Sequence, residues 1–122
     1  MPSSRILYLK SQKCKVELNA DQCYKDLEEP CWELLQQHHH NPNIRQDMFR
    51  AVDGKIEVYD GGYDSSPSWS NQINLWGYGA EGILEGLAQN MTGDGELIFI
   101  ETPEGNSPTV YKVTSKKVQI IA

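Results

Sequence analysis

The sequence predicts an α+β fold: an antiparallel sheet made of an N-terminal hairpin, a central hairpin and a C-terminal meander, with two helices packed on one face. Three observations predict it. Three apolar runs, Glu96–Glu101, Val110–Val113 and Val118–Ile121, are separated only by short turn segments. Asp53-Gly54 stands between two stretches whose residues match across a two-residue turn. Residues 20–38 and 80–91 repeat apolar side chains at helical spacing. At 122 residues the chain has the length of one domain, residues 1–122.

In chain order, Ile6–Leu9 and Cys14–Leu18 read as two strands around Ser11-Gln12-Lys13. The second strand alternates, with Cys14, Val16 and Leu18 on one face, and the pair is expected to form a hairpin. Asn19 followed by Gln22 has the spacing of a capping box. Tyr24, Leu27, Cys31, Leu34 and Leu35 then form one apolar stripe, which Pro30 is expected to kink or to split into two short helices. Asn41-Pro42 ends that helical segment, because the residue before proline is pushed out of the helical region.

Asp and Gly tolerate the positive φ of a type I′ turn, so Asp53-Gly54 sets a hairpin register. In it Phe49 faces Val58, Arg50 faces Glu57 and Ala51 faces Ile56. Residues 60–71 have the Gly, Ser and Asp content of a long loop. Ile73–Trp76 suits a short strand. Ala80–Met91 suits a helix whose apolar face is Ile83, Leu84, Leu87, Ala88 and Met91. Gly82 and Gly86 each weaken that helix by about 1 kcal/mol relative to alanine, and their spacing would let another backbone come close.

Composition excludes several classes. Hydrophobic residues at 39% and charged residues at 23% fit neither a disordered nor a membrane chain. No apolar run nears the roughly 20 residues of a spanning helix, and Met1–Arg5 has no signal-peptide character. A net charge of −6 opposes direct nucleic-acid binding, which depends on neutralising phosphates. Cys14, Cys23 and Cys31 are odd in number, so reduced thiols and a cytoplasmic setting are expected, with Cys23 and Cys31 as core residues. In such a setting the sequon Asn90-Met91-Thr92 carries no meaning.

Three motifs invite chemistry. Gly77-Tyr78-Gly79-Ala80-Glu81-Gly82 spells GxGxxG, with Glu101 spaced like a ribose-binding acid. Too few residues follow it for a dinucleotide fold, and a turn with a close helix contact is the plainer reading. His38, His39 and His40 point about 100° apart on a helix and do not converge on one ion. Asp60 and Asp64 lack the order of a calcium loop, and Ser65, Ser66, Ser68 and Ser70 lack a nucleophile-elbow context. No metal, cofactor or catalytic residue is therefore assigned.

Charge distribution is the strongest feature. Residues 51–104 hold ten acids against Lys55 alone, while residues 1–50 are balanced. Aromatic residues share that acidic block. Glu57, Tyr59, Asp60, Tyr63, Asp64, Trp69, Tyr78 and Glu81 are accordingly the expected partner-binding residues, acids for steering and aromatics for anchoring. The first reading is a small non-enzymatic binding module, of inhibitor or immunity type, engaging a basic protein. The second is a small metal- or nucleotide-binding protein or hydrolase using His38–His40, Asp60/Asp64 or Gly77–Gly82. The third is a homo-oligomeric structural subunit joined through an edge of the C-terminal meander.

Overall fold

A computed structural model describes residues 5–36, 45–63, 66–103 and 107–122, less the side chains of residues 36, 61–63, 66–67 and 103. The elements are β1 (Arg5–Lys13), β2 (Val16–Leu18), α1 (Ala20–Glu28), α2 (Trp32–Gln36), β3 (Phe49–Val52), β4 (Lys55–Tyr63), β5 (Ser66–Ser70), β6 (Gln72–Asn74), α3 (Ala80–Gln89), β7 (Met91–Gly93), β8 (Glu96–Pro103), β9 (Thr109–Thr114) and β10 (Lys117–Ile120). They make an antiparallel five-stranded sheet in the order β10-β9-β8-β1-β6, a three-stranded sheet β3-β4-β5 and the pair β2-β7. This is the expected α+β class. No helix among the described residues is long and apolar enough to cross a membrane.

The meander forms as read, with Leu97 against Val113, Phe99 against Tyr111 and Val113 against Val118. Its alternation puts Leu97, Phe99 and Val113 on the buried face. The central hairpin keeps its expected register at all three pairs. Asp53 (φ 54°) and Gly54 (φ 81°) both take the left-handed conformation that a type I′ turn needs.

The N-terminal strands differ from the expectation of a hairpin. β1 does not turn at Ser11-Gln12-Lys13 but runs through it, registered with Ile98, Leu97 and Glu96 after a bulge between Leu9 and Ser11. β2 pairs with β7 instead. Pairing β1 with the apolar run of β8 buries Leu7 and Leu9 in the main core, a gain that a local hairpin of short polar-tipped strands does not offer. The stretch 60–71 also differs. β4 continues to Tyr63 and returns as β5, with a bulge between Tyr59 and Gly61 that glycine accommodates.

Among the described residues, three short helices cover the core. Pro30 divides α1 from α2, yet Cys31 N–H still bonds Leu27 O (2.9 Å) and Leu35 N–H bonds Cys31 O (2.9 Å) across the break. Asn19 caps α1 by accepting from Gln22 N–H (3.2 Å), but the Gln22 amide turns to Asp26 (2.8 Å) and does not close the box. α1 packs on α3, which packs on β9 and β10. A Cβ at Gly86 would lie 2.7 Å from Leu27 Cδ2, so the close approach is made there by a leucine side chain; Gly82 faces open space. Phe49 and Phe99, edge to face at 6.3 Å, join the two larger sheets through the core.

Candidate protein-binding face

Strand alternation sorts the three-stranded sheet into two faces. Phe49, Ile56 and Val58 point into the core, so Arg50, Glu57, Tyr59 and Trp69 share the outer face. Arg50 Nε donates to Glu57 Oε1 at 2.9 Å, and its guanidinium carbon lies 4.3 Å above the Trp69 ring. Tyr59 opposes Trp69 across the strands, edge to face at 5.5 Å. One cation thus joins a carboxylate and an aromatic pair in a fixed arrangement. Burial pushes the Tyr59 phenol above its ordinary value. The Tyr59 hydroxyl and Trp69 Nε1 are buried with no hydrogen-bond partner among the described residues.

Of the expected binding residues, Glu57, Tyr59 and Trp69 come together there, and exposed Asp60 sits beside them at the bulge of β4. Tyr63 ends the strand as backbone, and Asp64 lies outside the described residues. Tyr78 and Glu81 belong to another neighbourhood, the start of α3, where Tyr78 is half-buried against the core and Glu81 is exposed. Glu81 acts electrostatically on Tyr111 of β9. Arg50, which the sequence reading did not include, is the residue that ties the face together. Its signal was the opposite-charge pair with Glu57.

The acidic block does not remain a block. Arg50 neutralises Glu57, Lys112 approaches Glu96 at 3.6 Å, and buried Glu101 takes the Tyr111 hydroxyl at 2.9 Å and Arg5 at 3.4 Å. The bases come from outside residues 51–104. Asp53, Asp60, Glu81, Glu85 and Asp94 stay exposed on several elements.

The glycine motif resolves as structure. Gly77 (φ 95°) makes a turn, Gly79 caps α3 without a side-chain bond, and β6 runs antiparallel to its neighbour β1. Glu101, the supposed ribose ligand, is occupied by Tyr111 and Arg5. The His38–His40 run lies outside the described residues; among the described ones no three His, Cys, Asp or Glu side chains gather as a metal site. Cys23 and Cys31 are buried, with the Cys23 thiol pushed up to about 12 chiefly by burial. Asn90 is also buried, its amide donating to Asp26 (2.9 Å) and to Gly86 O (2.8 Å). Compared with known protein families, with curated proteins and with solved structures, the chain matches none.

Proposed function

We propose that the chain is a small non-enzymatic binding module that engages a basic protein partner through the outer face of β3-β4-β5. The Arg50–Trp69–Tyr59 stack carries this reading. Trp and Arg are among the side chains that dominate binding energy at interfaces, and Arg50 and Trp69 are part-exposed. Tyr59, only 4% exposed, packs against Trp69 and holds it in place. Arg50, already held by Glu57 and Trp69, loses little conformational freedom when a partner docks. Asp60 adds an exposed carboxylate at the rim, and the net charge of −6 steers a basic partner toward the molecule.

Affinity capture from source lysate tests the proposal with the wild type, Asp60→Lys/Asp64→Lys and Trp69→Ala, at low salt and near 150 mM. A basic protein held by the wild type, released as salt rises and lost from both variants is the expected result. Equal retention by the variants, or an empty wild-type eluate, would overturn it.

A homo-oligomeric subunit is the second reading, favoured by β10. That strand is a sheet edge beside which Ile120 and Ile121 are 60% and 52% exposed. Sedimentation showing a concentration-independent monomer would remove it.

A further inference from the structure

β1 and β4 approach each other without forming a ladder. Over residues 11–13, β1 is registered with β8 on one side, while on the other β6 reaches only Tyr8, followed by one bond from Leu9 N–H to Asn71 O. Over residues 55–57, β4 is paired with β3, and β5 begins its pairing at Val58. The Gln12 carboxamide spans the gap. Its Oε1 accepts from Ile56 N–H at 2.9 Å and its Nε2 donates to Ile56 O at 3.2 Å. A side-chain amide thus meets Ile56 with the donor and acceptor that a neighbouring strand would present.

The gap opens to solvent as a groove of about 460 Å³. Leu9 and Ile56 are its buried lining, and Lys10 and Lys55 are exposed on its β1 and β4 sides. Glu57 is the only acid in the lining, and Arg50 already neutralises it. Outside the lining, the stem of Lys15 lies against Gly54 and the exposed Asp53 precedes that glycine, so this neighbouring pair adds no net charge. In a chain of net charge −6 the groove therefore has the opposite sign from the molecule as a whole.

We infer that this groove is a binding site for an extended acidic peptide segment of a partner. The peptide main chain matches the donor and acceptor that Ile56 presents, taking the place of the Gln12 amide. Its acidic side chains meet Lys10 and Lys55. The site borders the outer face of β3-β4-β5 at Glu57, which belongs to both, and its test does not depend on the function proposed for that face.

Fluorescence anisotropy with a labelled seven-residue peptide alternating glutamate and valine tests the assignment, with a lysine–valine peptide as control. Saturable binding of the acidic peptide is expected, weakened at least tenfold by Lys10→Glu/Lys55→Glu with an unchanged melting curve. Amide exchange at Ile56 in the wild type should slow when the acidic peptide is added. Equal binding of the two peptides, unchanged affinity in the charge-reversed variant, or no saturation at millimolar peptide would overturn the inference. Competition by citrate as effective as by the unlabelled peptide would make this a small-anion site and overturn the peptide assignment.

Discussion

The two larger sheets solve different problems. In the five-stranded sheet, Leu7, Leu97, Phe99 and Val113 have no exposed surface, and the buried carboxylate Glu101 is held by Tyr111 and Arg5. In the three-stranded sheet a glycine-bearing bulge interrupts β4, two buried aromatic donors have no partner among the described residues, and a glutamine side chain covers an open strand edge. The first arrangement suits a sheet that fixes the fold. The second leaves the Arg50 and Trp69 side chains part-exposed on its outer face. The difference lies away from the core, since both sheets bury side chains there, Phe49, Ile56 and Val58 from one and Leu7, Phe99 and Val113 from the other, meeting at the Phe49–Phe99 contact.

Phe99→Ala is the largest blow to that shared core, expected to cost about 3–5 kcal/mol because it empties the centre of the core and removes the ring that Phe49 packs against. Urea denaturation of Phe99→Ala beside Trp69→Ala checks it. A Trp69→Ala loss as large as that of Phe99→Ala would show that the outer face is also part of the stabilising core.

Tyr111→Phe comes next, at about 1–3 kcal/mol, since it strips a hydrogen bond from a buried carboxylate. Burial, then the Glu101 hydrogen bond, push the Tyr111 phenol up to about 12. The folded state therefore holds this proton more tightly than the unfolded chain, where the value is about 10. Its contribution is intact below pH 10 and is lost as pH rises through 12. Tyr24, also pushed up to about 12, titrates in the same window and remains in the variant. Stability measured between pH 9 and 12 should fall less steeply in Tyr111→Phe than in the wild type.

Gln12→Leu is the smallest, about 1 kcal/mol, because the groove lets water replace the two lost bonds to Ile56. Hydrogen exchange should quicken at Ile56 and stay unchanged at Leu97 and Phe99. Quickening at all three would mean that the glutamine bridge helps hold the main sheet.

The sequence revealed what is local. Asp53-Gly54 sets the hairpin because both turn residues tolerate positive φ and three cross-strand pairs agree with one register. The partners of β1 were hidden, because β8 lies some ninety residues downstream and no nearby residue encodes that choice. β5 was hidden by its own composition: Ser66-Pro67-Ser68 reads as loop, and its place in the sheet comes from pairing with β4, where Trp69 opposes Tyr59. Missing that strand also concealed Arg50 as a ring partner, although its pairing with Glu57 was visible. The acidic block dispersed because charge along a chain sets no geometry in space, and Arg5, Arg50 and Lys112 reach it from other segments.

The central place of β1 has a consequence in time. Its two neighbours in the sheet, β6 and β8, are both made long after it, so on the ribosome Leu7 and Leu9 meet β6 only after residue 74 has emerged and β8 only near position 100. The β3–β4 hairpin closes over a few residues and is free to form early. Docking of β1 is then a late, long-range event, and such topologies fold on roughly millisecond-to-second scales. Nascent chains expose an apolar strand for that interval, which places the greatest risk of self-association before the molecule is complete.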